Sequence, residues 1–192
     1  MAIIQYGFIS LKAVRRMDKR EIAKAIYEAS HLSGTFTLRS GAVSNEYFDK
    51  YLFEARPALL KDIAAYMKSL VPANADVLAG LEMGAISVVT ALSLETGIQA
   101  AFVRKKAKSY GTCKLAEGAD VDGKRVCVVE DVVTTGGQVI ESVNELRKLG
   151  ASVGHVLCVI WRNPEAERLL AGQGLTLIPA FTIEYIKAAA SR

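Results

Sequence analysis

Glu130 and Asp131, followed after two valines by Thr134, Thr135, Gly136, Gly137 and Gln138, are the residues whose types and order point most directly to chemistry. Two adjacent carboxylates can accept hydrogen bonds from a pair of vicinal hydroxyls. The Thr/Gly run adds two hydroxyls and a backbone bare enough to wrap an anion. Apolar Val139, Ile140, Val143, Leu146 and Leu149 then recur at helical spacing as far as Gly150, so the run opens a helix whose first N–H groups can bind phosphate. Ahead of the acids, Val126 to Val129 is mostly β-branched and reads as a strand covered on both faces. That puts the acids at its carboxyl end, where open α/β sheets place ligands. Singly, the parts are ordinary: solvated strand-end acids and an N-cap at Thr135. Their order makes a sugar-phosphate site. A Walker loop would need Gly-Lys-Ser/Thr after the glycines and a dinucleotide site G-x-G-x-x-G, and neither occurs here.

A second constellation lies one strand earlier. Arg104, Lys105, Lys106 and Lys108 place four cations in five residues, followed by Tyr110, Gly111 and Lys114. Such a run can neutralise phosphate oxygens, and its glycine lets a loop open and close. In isolation it would read as solvated surface; its position ahead of the acids ties it to the same anion. His31 and His155 lack partners at metal-ligand spacing and receive no catalytic role.

These residues need elements to hold them. Asp18 to Ser30 carries Ile22, Ala23, Ala25, Ile26 and Ala29 on one face, an amphipathic helix started by Asp18. Phe36 to Gly41 reads as a short strand ended by a turn, Tyr47 to Asp49 as an extended stretch, and Pro57 to Leu70 as a helix with proline in its first turn. From residue 76 strand and helix alternate: strand Val77 to Leu81, helix Ala85 to Leu94, strand Ala100 to Val103, a polar and mostly structureless interval from Arg104 to Gly123, the acid-bearing strand with its helix, and strand His155 to Ile160. The pattern predicts an α/β fold with a doubly wound, mostly parallel sheet and right-handed crossovers.

The 192 residues favour one domain, and an apolar share of 51% is enough for a real core. The formal charge of +4 comes largely from Lys12 to Arg20 and Arg104 to Lys108, so local anion binding is expected and no nucleic-acid partner. The first residues lack the charge order of a secretory signal, and no apolar run reaches membrane-span length, so no membrane association is expected. Cys113, Cys127 and Cys158 lack C-x-x-C spacing; reduced thiols and a cytoplasmic location are expected.

The segment from Val126 to Gln138 resembles the ribose-5-phosphate signature of type I phosphoribosyltransferases. The basic loop narrows the resemblance to the orotate phosphoribosyltransferases, whose Arg-Lys-x-x-Lys-x-His-Gly loop is matched by Arg104, Lys105, Lys108 and Gly111, with Tyr110 in place of histidine. A phenol stays neutral near pH 7, so an imidazolium's help would be lost. Phe36 to Gly41 resembles the family's Phe-Thr-Leu-Lys-Ser-Gly with Arg39 for lysine, and Tyr47-Phe48 its aromatic pair. Trp161-Arg162 stands at its Asp-Arg, and Ala42 where a base is frequent.

The resemblance implies the type I fold, with a hood over about 1–56 and 163–192, a core over about 57–162 and a flexible basic loop over 104–118. It implies transfer of ribose 5-phosphate from phosphoribosyl pyrophosphate (PRPP) to orotate in pyrimidine synthesis. Glu130 and Asp131 would hold the ribose. Thr134, Thr135, Gly136, Gly137 and Gln138 would hold the 5-phosphate, Arg104, Lys105, Lys108 and Tyr110 the pyrophosphate, and Arg39, Val132 and Val133 would also contact PRPP. Thr134, Arg162, Tyr47 and Phe48 would contact orotate, with Lys108, Arg104 and Asp131 catalytic. Mg²⁺ would arrive on PRPP without a direct protein ligand, and a homodimer would share the basic loop. Tyr47 and Phe48 could equally be core aromatics, Arg162 a surface cation, and Trp161 a ligand stack or a cap on the sheet. Two alternatives keep the fold: transfer to another nucleobase, or a regulatory protein that senses PRPP or nucleotide and binds nucleic acid, against which the modest charge stands.

Overall fold

The computed structural model describes residues 15–37, 41–106 and 114–191. Helix α1 (Lys19–Ser30) starts at a capping box: the Asp18 carboxylate accepts from the Glu21 N–H at 2.9 Å, and Glu21 accepts from the Asp18 N–H at 2.8 Å. It leads into an antiparallel hairpin, β1 (His31–Thr37) with β2 (Val43–Phe48). The strand begins five residues before the Phe36 expected from sequence. A short helix α2 (Lys50–Glu54), capped by the Asp49 side chain on the Tyr51 N–H at 3.0 Å, follows where no element was expected from sequence. Five residues are too few to show helical periodicity.

Helix α3 (Pro57–Lys68) precedes the alternating part: β3 (Val77–Leu81), α4 (Ala85–Thr96), β4 (Gln99–Val103), β5 (Ala116–Gly118), β6 (Arg125–Val133), α5 (Gly137–Lys148), β7 (Ser152–Trp161), α6 (Glu165–Ala171), β8 (Thr176–Thr182) and α7 (Ile183–Ala190). The six strands from β3 to β8 form one sheet in the order β5-β4-β3-β6-β7-β8, parallel except for β5. Two corrections follow. The interval from Arg104 to Gly123 is not structureless, since β5 turns back antiparallel on β4, with Val103 opposite Ala116. The hood does not begin at residue 163 either, because β8 is an edge strand of the main sheet beside β7.

Alternation along the central strands feeds two cores. Leu78, Cys127, Val129 and Leu157 pack with α1, α3 and α4, while Val77, Ala79, Val126 and Val128 pack with α5 and α6. The hairpin with α1 and α7 makes the hood, α1 and α7 lying against each other. No helix among the described residues is long and apolar enough to cross a membrane.

Candidate functional site

The chain winds outward from a central pair: β3 leads to β4 on one side, and β6 leads to β7 and β8 on the other. A crevice opens at such a switch point, at the carboxyl ends of β3 and β6. Glu130 and Asp131 stand there, although not beyond a strand end as expected. β6 runs on to Val133, paired with β7 as far as Trp161, whereas its pairing with β3 stops at Val129. The acids therefore sit on a strand that is supported on one side and open on the other. The extension includes Val133, whose side chain is buried in the core, so that its backbone is the part left to meet a ligand.

The acids differ. Asp131 is fully buried, its Oδ1 accepting from the Val132 N–H at 2.6 Å and its Oδ2 lying 2.6 Å from Lys50 Nζ. Burial alone would raise its pKa, but hydrogen bonds from Glu130 and Lys50, with the Lys50 charge, hold it below the ordinary value. Burial, then the Asp131 carboxylate alongside, pushes Glu130 well above its usual value. A third carboxyl, Glu54 from α2, is raised to about 8 by burial and by Asp131. Its Oε2 accepts from Ser87 Oγ at 3.2 Å, while the buried Oε1 faces no donor. Glu54 and Glu130 are thus shifted toward their neutral forms, while Asp131 is held toward the carboxylate beside the Lys50 ammonium.

Gly84, in the turn between β3 and α4, closes over this pair. A Cβ there would lie 1.6 Å from Asp131 Oδ2 and 3.1 Å from Lys50 Nζ, so only glycine lets the turn approach. Sequence reasoning missed Lys50, Glu54, Ser87 and Gly84. They are brought to β6 by tertiary packing alone, and nothing in their local sequence marks them.

Downstream, Thr134, Thr135, Gly137 and Gln138 are exposed, and Gly136 takes a left-handed φ of 79° as N-cap of α5. The ordinary N-cap at Thr135 that would have given the run a purely structural reading is not formed, and no side chain caps α5. Its first N–H groups are therefore free of side-chain caps and can meet an anion.

A phosphoribosyl transferase domain model matches residues 53–173. An orotate phosphoribosyltransferase of a Nocardioides species is 51% identical over 168 residues, covering 88% of this chain and 94% of the relative. The chain belongs to the orotate phosphoribosyltransferase family. Orotate phosphoribosyltransferase of Mycobacterium tuberculosis, solved with Fe(III) dicitrate, superposes with a TM-score of 0.80 at 31% identity, covering 88% of this chain and 98% of that one. The same enzyme solved with PRPP gives a TM-score of 0.76 at 28% identity, over the same shares.

Of the remaining expected site residues, Arg104, Lys105, Tyr47, Phe48 and Arg162 fall among the described residues. Arg104 follows β4, its N–H bonded to the Leu115 carbonyl at 2.9 Å, and its buried Nε has no partner among the described residues. The Lys105 N–H donates to Glu82 Oε1 at 2.7 Å, so Glu82, after β3, fixes the root of the basic loop beside the acid site. Arg39, Lys108 and Tyr110 lie outside the described residues. Arg162 follows β7, with its guanidinium carbon 6.0 Å from the centre of the Phe48 ring. Tyr47, Phe48 and Arg162, with His31, Glu46 and Lys187, line a cavity of about 270 Å³ under the hood. Trp161 spends its Nε1–H on the Asn163 carbonyl at 2.7 Å and packs against the core, so it caps the sheet.

Proposed function

We propose that the protein transfers ribose 5-phosphate from PRPP to orotate, giving orotidine 5′-monophosphate and pyrophosphate, a step of pyrimidine nucleotide synthesis. The observation that carries this reading is the placement of an acid pair, an uncapped helix N-terminus and a cation-bearing aromatic cavity around one crevice. The N-terminus of α5 with Thr134 to Gln138 takes the 5-phosphate, and Glu130 and Asp131 take the ribose hydroxyls. Arg162 meets the orotate carboxylate beside Phe48. The anomeric C–O bond breaks with its electron pair leaving on pyrophosphate, and a ring nitrogen of orotate bonds to the same carbon. Positive charge grows on the ribose and negative charge on pyrophosphate, so catalysis is electrostatic and positional. Arg104, Lys105 and Lys108 stabilise the leaving group. The attacking ring nitrogen carries an acidic N–H, whose proton passes to a departing pyrophosphate oxygen as the C–N bond forms, so no strong general base is needed.

Mg²⁺ belongs to this reading as a passenger of PRPP. Lys50 already neutralises Asp131, and Glu130 is held toward its neutral form, so the donor set suits a cation that enters on phosphate oxygens. When bound it would offset the charge of the leaving group. A homodimer also belongs to it. A groove of about 690 Å³ between α2 and α4 is lined mainly by apolar side chains, with Met83 and Leu94 66% and 83% exposed. The buried Cys127 thiol, pushed up to about 12 by burial, stays protonated and suits a reducing compartment such as the cytoplasm.

The test is to mix protein, Mg²⁺, PRPP and orotate and follow orotate absorbance with pyrophosphate release. Coupled loss and release is expected. Release with a different base only would overturn orotate as acceptor, and no release with any base would remove the transferase.

A further inference from the structure

Asp131 presents a difficulty for the proposed chemistry. It is the ribose-holding carboxylate of that reading, yet it has no exposed surface, because Lys50 and the turn at Gly84 cover it. Of the two covers only Lys50 can leave. Gly84 is backbone, tied into the turn by the Ser87 hydroxyl on its carbonyl at 3.1 Å. Lys50 is a four-carbon stem at the start of a five-residue helix, 32% exposed. Its alternative resting place is close by, since its Nζ also lies 5.3 Å from the centre of the Tyr51 ring.

Where Lys50 would go follows from the same geometry. The turn after β3 lies between the acids on β6 and Arg104 on β4, because β3 is the strand between them. A pyrophosphate that joins a ribose on the acids to cations on the β4 loop must cross that turn. Lys50 Nζ lies beside it, 3.1 Å from where a Cβ on Gly84 would stand. We propose that Lys50 is a further catalytic residue that exchanges partners: its ammonium covers Asp131 in the free protein and moves onto the donor's pyrophosphate as a ribose hydroxyl takes its place on the carboxylate. The inference rests on the PRPP reading above and deepens it. The exchange keeps a cation beside the anion at each stage, first the carboxylate and then the departing oxygen.

The experiment compares Lys50→Met and Lys50→Arg with the unsubstituted protein, measuring turnover and the affinities for PRPP, Mg²⁺-pyrophosphate and orotidine 5′-monophosphate. The last ligand has the ribose and phosphate but no pyrophosphate. For Lys50→Met the exchange gives kcat down at least 30-fold and affinity for PRPP and pyrophosphate down at least 10-fold. Orotidine 5′-monophosphate affinity stays within 3-fold, and Lys50→Arg recovers most of each loss. Equal weakening of all three ligands would reduce Lys50 to a prop for Asp131 and overturn the exchange, as would unchanged pyrophosphate affinity. Should Lys50→Met fail to fold, amine-selective labelling of Lys50 in the unsubstituted protein decides. PRPP should slow it and orotidine 5′-monophosphate should speed it, and equal effects overturn the proposal. Failure of the unsubstituted protein to bind PRPP would instead remove the proposed function.

Discussion

At the residue scale the site is a small electrostatic balance, and its most telling member is Glu54. Its carboxyl is raised from 4.5 to about 8, so the fold favours the neutral form. Between those values the unfolded chain has lost a proton that the folded chain keeps. The stabilisation is complete below about pH 4.5 and is lost as pH rises through about 8. Melting temperature should fall over that window by on the order of 5 °C, and Glu54→Gln should flatten the fall; an unchanged slope in differential scanning fluorimetry would place the proton elsewhere. Gly84→Ala should cost about 1–3 kcal/mol, because its methyl would land on the Asp131 carboxylate, and should raise the KM for PRPP. Stability and KM both at the unsubstituted values would show that the turn has slack. Glu130 and Asp131 were legible because they are consecutive and sit in a recognisable order. Lys50, Glu54 and Gly84 were not, because their roles arise only when α2 and the β3–α4 turn meet β6.

At the element scale, the feature that matters is a helix start left without a side-chain cap. The left-handed φ of Gly136 turns the chain into α5, and a Cβ there would meet Leu170 in ordinary contact at 3.4 Å, so the cost of adding one is conformational. Gly136→Ala should therefore lose about 1–2 kcal/mol and weaken inorganic phosphate binding. Loss of stability with phosphate affinity intact would separate the turn from the cradle. The long periodic elements were readable: α1, α3 and β3 fall where apolar spacing puts them. α2 and β5 were hidden because five and three residues carry no period. β6 outran its apolar run because pairing with β7, not hydrophobicity, carries it through two acids to Val133.

At the scale of the whole molecule, the order of strands brings together residues from β4, β6, β7 and the β1–β2 hairpin that the chain keeps far apart. The alternation of strand and helix predicted the doubly wound sheet. It could not show that β8 belongs to that sheet, since Pro179 interrupts a segment that reads poorly as a strand. The groove between α2 and α4 makes association testable at this scale. Leu94→Glu should shift sedimentation from dimer to monomer without lowering the melting temperature by more than about 2 °C; a protein already monomeric would leave the groove without a second copy.

The neck of the basic loop has one more consequence. β4 and β5 are zipped by Val103 opposite Ala116, and Arg104 is bonded to Leu115, so both ends of the intervening segment are tied to the sheet independently of what lies between them. Continuity of the polypeptide is therefore dispensable there. A site-specific protease sequence placed between 107 and 113 and then cut should leave two fragments that co-migrate as one folded particle, bind orotidine 5′-monophosphate, and no longer turn over PRPP. Integrity of the architecture and competence of the machinery would then be separated by a single broken peptide bond.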